Sequence, residues 1–215
     1  MQGQRVVLAT GNPGKLRQFS ELLGDSFSSG GLTLVRQSDF GIEPPDETGS
    51  TFLENSLLKA RNAASLTGLP AIADDSGIEV DALGGRPGLY SARYAGDGAS
   101  DDQNLRKMLL ELENVPPANR TARYRSVIVF VADAQDAHPL VGEGVWEGAI
   151  ADAPRGTGGF GYDPIFLPRG EQRTAAEMPA ELRNPQSHRG QAARAFLALL
   201  STDARWARDK QRSDR

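Results

Sequence analysis

Cysteine is absent from this 215-residue chain, which excludes a disulfide framework, a thiol nucleophile and a thiolate metal site. Histidine is scarce: only His138 and His188 occur. Long apolar runs are also missing, and no stretch approaches the roughly 20 residues of a membrane span. The first apolar run, Val6–Ala9, is too short for the core of a secretory leader. Nor is there an excess of positive charge. Lys and Arg total 24 against 28 Asp and Glu, a formal net charge of −4, which argues against broad binding to nucleic acid or an anionic membrane. A local basic pocket for a small anion is still permitted. The expectation is a cytoplasmic protein with a small-molecule partner, no nucleic acid and no membrane.

What remains is ordinary for a globular chain, with 39% hydrophobic and 24% charged residues. Arg5–Thr10 reads as a buried strand running into Gly11-Asn12-Pro13-Gly14, and Lys15–Leu23 as a helix with Leu16, Phe19, Leu22 and Leu23 on one face. Leu32–Arg36 is a second strand, Ser38–Ser50 an acidic loop and Thr51–Leu66 a helix. On that helix Asn55 and Lys59, four apart, share a face. Pro70–Ala73 predicts a short strand ending at Asp74-Asp75-Ser76-Gly77, with Ile78–Ala82 extended beyond it.

Ser100–Glu113 predicts a capped helix. Ala122–Asp133 and Leu140–Ile150 predict paired strands, with His138 in the turn between them. Pro154–Asp163 is a glycine-rich loop, Ile165–Leu167 a short strand and Gln191–Leu200 a closing helix. Residues 203–215 carry eight charges and little apolar surface, so this tail is expected to be disordered.

Four clusters carry chemistry. Strand, glycine turn and helix at Thr10–Lys15 aim backbone N–H groups and a lysine at an anion. The spacing is not that of a P-loop, and Leu16 stands where that motif has its magnesium-binding hydroxyl. Asp74 and Asp75 offer hard oxygen ligands or a general base; as neighbours on a strand they point to opposite faces, so only one enters a given site. Asp46 and Glu47 could reach the same metal. The third cluster, Gly158-Gly159-Phe160-Gly161-Tyr162-Asp163-Pro164, suits a backbone that approaches a flat ligand while Phe160 stacks on it. The fourth, Ser187-His188-Arg189-Gly190 just before the closing helix, presents an imidazole with a guanidinium.

The order of these motifs identifies a family. Thr10-Gly11-Asn12-x-x-Lys15, Glu54-Asn55-x-x-x-Lys59-Ala60, Asp74-Asp75-Ser76-Gly77, Leu83-Gly84-Gly85-x-Pro87-Gly88, Gly158-x-Phe160-Gly161-Tyr162-Asp163-Pro164 and Ser187-His188-Arg189 together resemble the inosine/xanthosine triphosphate pyrophosphatases, also called XTP/dITP diphosphatases. The resemblance spans roughly residues 5 to 200.

It implies an α/β fold: a long twisted mixed sheet flanked by helices, in one domain of residues 1–202 with two lobes and a central substrate cleft. It also implies a homodimer and Mg²⁺-dependent hydrolysis of dITP, ITP or XTP to the monophosphate and pyrophosphate. By the same resemblance Thr10, Gly11, Asn12, Pro13, Gly14, Lys15 and Lys59 bind the triphosphate. Asp75 is the general base and, with Glu47, a metal ligand, helped by Asp74. Ser76 lines the substrate site. Phe160, Gly161, Tyr162 and Asp163 hold the base, and His188 and Arg189 read its edge. Arg183 is a substrate contact at a position where the family commonly has Lys. Two alternatives stay open, a pyrophosphatase of the septum-formation inhibitor type and a non-catalytic nucleotide-binding regulator; the clustered acids count against the latter.

Overall fold

The computed structural model describes residues 4–29 and 31–205. Its strands are β1 (Gln4–Leu8), β2 (Leu32–Arg36), β3 (Ala71–Val80), β4 (Thr121–Val131), β5 (Leu140–Ile150) and β6 (Phe166–Pro168). They form one sheet in the order β2-β1-β3-β4-β5-β6. β1 pairs in parallel with β2 and β3, whereas β5 and β6 are antiparallel, so the sheet is mixed. The helices are α1 (Pro13–Ser29), α2 (Phe52–Thr67), α3 (Asp101–Glu111), α4 (Ala180–Gln186) and α5 (His188–Thr202). This is the α/β class expected, and β5 has the bounds expected of it. No helix among the described residues is long and apolar enough to cross a membrane.

The chain divides into two compact units. One takes the chain up to Asp75, Val127–Gly144 and the chain from Arg189; the other takes Ser76–Ser126 and Val145–His188. In the first unit, Val6, Leu8, Ile72, Ile128 and Phe130 of the sheet form a core with Phe19, Leu23 and Phe27 of α1 and Phe196 of α5. α2 packs through buried Ala60, Ala63 and Ala64, and its Ser56 Oγ donates to the Val127 carbonyl at 2.8 Å. In the second unit the core joins Ile78, Val80, Leu105, Met108, Tyr124, Trp146, Tyr162 and Phe166.

Three elements differ from the sequence expectation. Asp74–Gly77 is not a turn that ends a strand but the middle of β3. Gly77 is required there by packing rather than by a bend, because a Cβ would strike the Gly88 backbone carbonyl and lie 2.6 Å from Ser91 Oγ. α1 continues past Leu23 to Ser29 because Phe27, 1% exposed, packs against Phe196. α5 starts at His188 rather than Gln191, so His188 and Arg189 sit in its first turn, preceded by α4, a short helix that contains Pro185 and carries no strong periodicity. Asp203–Arg205 follow α5, and Arg205 pairs with Asp136 at 3.1 Å; residues 206–215 of the charged tail lie outside the described residues.

Candidate active site

The loop after β1 is pre-shaped by its own side chains. Thr10 Oγ1 accepts from Asn12 N–H at 3.2 Å, and Asn12 Oδ1 accepts from the N–H groups of Gly14 and Lys15 at 2.8 and 3.1 Å. Pro13 occupies the first helical position, where its missing N–H costs nothing. Asn12 therefore caps α1, and Gly11, Asn12 and Pro13 are exposed. The sequence suggested N–H groups open to an anion; two of them are held by the cap.

Behind this loop, within the same unit, three cations and three carboxylates interleave. Lys15 Nζ lies 3.1 Å from Asp74 Oδ2, and Arg189 Nε 3.4 Å from the same oxygen. Arg189 Nη1 also donates to Gln18 Oε1 at 3.1 Å. On the other side of β3, Lys59 Nζ lies 3.0 Å from both Glu47 Oε1 and Asp75 Oδ1. Asn55 Nδ2 donates to Asp75 Oδ2 at 3.3 Å. The adjacent aspartates thus serve opposite faces of the strand, as alternation requires: Asp74 meets α1 and α5, and Asp75 meets α2. Asp46 is exposed, while Glu47 is turned inward onto Lys59. Asp74 Oδ1 is buried and has no hydrogen-bond partner among the described residues.

Burial and these neighbours set the charges. Burial pushes the Asp75 carboxyl above its ordinary value; Lys59 and Lys15 oppose this, and the Glu47 charge adds to it. Burial alone would raise Asp74 too, but Lys15, Arg189 and Lys59 bring it below the ordinary carboxylate value. Lys59 is raised, because Asp75, Asp74 and Glu47 outweigh its desolvation, whereas burial leaves Lys15 lowered. Asp75 is the carboxylate of the pair biased toward taking up a proton.

The second unit carries the remaining sequence-predicted residues. Phe160 is half-buried, and its N–H donates to Asp163 Oδ2 at 3.2 Å. Gly159, at φ +75°, leaves room for that carboxylate, which a Cβ would strike. Gly161 N–H donates to Asp101 Oδ2 at 2.7 Å, tying the loop to the start of α3. Tyr162 is buried, and its hydroxyl donates to the Ser91 carbonyl at 2.8 Å. Arg183, on α4, reaches the Ala175 carbonyl at 3.4 Å. His188 is 4% exposed and stacks flat on Tyr124, with centroids 4.5 Å apart and planes at 7°. Ser76 follows Asp75 on β3 and is half-buried.

Sequence reasoning did not single out Gln18, Tyr124 or the bridging role of Asn55. Gln18 had a readable signal, its i+3 spacing from Lys15 on α1; Tyr124, inside a strand, had none. No group of three or more His, Asp or Glu among the described residues is arranged to hold a metal ion.

Known proteins resemble this chain over most of its length. The chain is 53% identical over 197 residues to the dITP/XTP pyrophosphatase of Escherichia coli K12, covering 92% of this chain and 98% of that one. It is 55% identical over 196 residues to the protein of the same name from Thioalkalivibrio sulfidiphilus, covering 91% and 98%. Among solved structures, a HAM1 protein from Coxiella burnetii superposes with a TM-score of 0.84 at 44% identity, covering 93% of this chain and all of that one. A dITP/XTP pyrophosphatase from Mycobacterium abscessus gives 0.72 at 42% identity, covering 92% and 98%. The profile of the Ham1 family matches residues 6–199, nearly everything from the first strand to the last helix, and the chain belongs to that family.

Proposed function

We propose that this protein hydrolyses the triphosphates of deaminated purines, dITP, ITP and XTP, between the α- and β-phosphates, releasing the monophosphate and pyrophosphate with Mg²⁺ as cofactor. The observation that carries the reading is the interleaved cluster in which Lys59 bridges Glu47 and Asp75 at 3.0 Å beside Lys15 and Asp74. Phosphates draw the lysines, and the carboxylates they leave suit a divalent ion. The names and high identity of the relatives support the same reaction.

The donor set fits Mg²⁺. Two carboxylates converge on one ammonium, and Mg²⁺ commonly takes one or two carboxylates with phosphate oxygens and waters completing its shell. Glu47 and Asp75 would hold it, and the chemistry supplied there is neutralisation of phosphate charge. Asp75, raised by burial, takes the proton from the water that attacks the α-phosphorus. The bond from that phosphorus to the bridging oxygen breaks, and pyrophosphate departs with its charge met by Lys15 and Lys59. Thr10, Gly11, Asn12, Pro13 and Gly14 shape the loop that receives the triphosphate, and Ser76 lines the substrate site.

For the base, Phe160 stacks on the purine, Gly161, Tyr162 and Asp163 fix the loop that carries it, and Arg183 adds a cation. Hypoxanthine and xanthine present a 6-keto acceptor to the donors of His188 and Arg189, whereas adenine presents a 6-amino donor and leaves both sides unpaired. The protein works as a cytoplasmic homodimer, an assembly that light scattering reads directly. The test of the reaction is hydrolysis of ITP, XTP, GTP and ATP with and without Mg²⁺, separating pyrophosphate from orthophosphate. Metal-dependent pyrophosphate release from ITP and XTP is expected; orthophosphate release would place attack at the γ-phosphorus and refute the mechanism.

A further inference from the structure

Asn55 is 1% exposed, and its one amide group ties together two segments distant in sequence. Its Oδ1 accepts from Gly49 N–H at 2.8 Å, and its Nδ2 donates to Asp75 Oδ2 at 3.3 Å. Gly49 lies two residues after Glu47 in the acidic loop, and Asp75 lies on β3. A buried carboxamide with both ends engaged cannot flip without leaving a donor facing a donor, so its orientation is fixed. The loop approaches this closely because residue 49 has no side chain: a Cβ there would sit 2.6 Å from Asn55 Oδ1 and 2.7 Å from Glu54 Cβ. The loop is pinned a second time by Glu54 Oε2, which accepts from Ser50 N–H and Ser50 Oγ–H at 2.6 and 2.8 Å. Lys59, one turn further along α2, completes the frame by bonding Glu47 and Asp75.

We infer that Asn55 and Gly49 form a positioning clasp that fixes the separation of the Glu47 and Asp75 carboxylates, and so sets the affinity of that pair for a divalent cation. The inference rests on the proposed reaction and its metal pair. Neither residue touches the metal or the substrate in this scheme. Both act through the carboxylates, as the outer partners of metal ligands do. The clasp can be opened from either side. Asn55→Leu removes both hydrogen bonds at similar volume and brings no new charge beside Asp75. Gly49→Ala leaves all the carboxylates and the amide in place and forces the exposed loop away from Asn55, with little demand on the core.

The experiment measures Mg²⁺ activation of ITP hydrolysis for the wild type and both variants, alongside thermal melting of the substrate-free proteins over a series of Mg²⁺ concentrations. In each variant the half-activating Mg²⁺ concentration is expected to rise about 10-fold or more, the usual cost of losing an outer partner of a metal ligand. The value of kcat at saturating Mg²⁺ should stay near that of the wild type. The Mg²⁺ needed for half of the melting shift should rise in parallel. An unchanged half-activating concentration, even with a lowered melting temperature, would make the clasp merely structural and overturn the inference. A fall in kcat that Mg²⁺ does not restore would overturn it too. A wild type that releases pyrophosphate without any response to Mg²⁺ removes the metal reading itself, and the inference with it.

Discussion

Replacing Lys59 with Met keeps much of the side-chain volume and removes the charge. The Lys59 side chain is 9% exposed and sits between Glu47, 28% exposed, and Asp75, 8% exposed, at 3.0 Å from each. In the variant Glu47 can turn toward water, but Asp75 loses its main opposite charge and keeps the Asn55 amide and the weaker pull of Lys15. Removing one partner of a buried ion pair costs about 3–5 kcal/mol. Asp75 answers by holding a proton more tightly, so its pKa, already raised by burial, rises further. The sign of the pH dependence follows. A carboxyl whose folded pKa stands above its unfolded value of about 3.9 costs nothing below that value, and its penalty grows as pH rises toward the folded pKa.

Lys59, itself raised, stays charged in the wild type across this window, so the difference between the proteins comes from Asp75. With a urea slope of about 1–3 kcal/mol per molar, the full penalty lowers the midpoint by at least about 1 M at pH 8 and by much less at pH 4.5. Urea unfolding followed by circular dichroism at the two pH values reads this. Equal midpoint losses at both pH values, or a loss at pH 8 well below about 1 M, would refute the account of a buried, poorly compensated Asp75.

Three further outcomes are expected. Asp75→Asn lowers kcat by about 10²- to 10⁴-fold, the usual contribution of a general base, with KM little changed; steady-state kinetics with ITP checks it, and near-wild-type turnover would remove Asp75 from that role. His188→Ala narrows the ratio of kcat/KM for ITP over ATP and, through the lost stacking on Tyr124, costs about 0.5–1.5 kcal/mol; an unchanged ratio would assign base reading to the backbone. Arg205→Ala cuts the paired contacts to Asp136. Burial pushes Asp136 up, but N–H groups of Ala132 and His138 and the Arg205 charge hold it below its ordinary value. That stability is present above the unfolded carboxyl pKa and is lost as pH falls through the folded one, so the variant loses about 1 kcal/mol at pH 7 and nearly nothing at pH 2. Thermal melts at the two pH values distinguish these.

Much of the fold was legible because local pattern and tertiary environment agree. Val127–Val131 and Leu140–Ile150 alternate or run apolar as strands must, and the sheet contains them both. α2 begins one residue after Thr51, whose side chain accepts from Glu54 N–H at 3.1 Å, the capping pattern that its sequence carries. Where expectation failed, long-range contact overruled a local signal. Asp-Asp-Ser-Gly reads as a turn, but between neighbouring strands it is held extended. Gly24 weakens a helix, yet α1 runs through it to bury Phe27 against α5.

The sequence by itself determined which chemistry is available and in what order: a glycine-turn lysine, paired aspartates on a strand, an aromatic among glycines, and a histidine next to an arginine. Each is a matter of residue type and short spacing, and the match to the Ham1 family over residues 6–199 rests on that order. The tertiary structure decided the partnerships. A lysine in the middle of a helix reads as a solvated charge, and only folding brings Lys59 onto Asp75, 16 residues on, and Glu47, 12 residues back. Only folding places Arg189 on Asp74 across 115 residues, or lays His188 on Tyr124. Periodicity tells which face of an element is apolar, but it carries no information about which distant element will cover that face. Charge compensation and desolvation depend on that second fact.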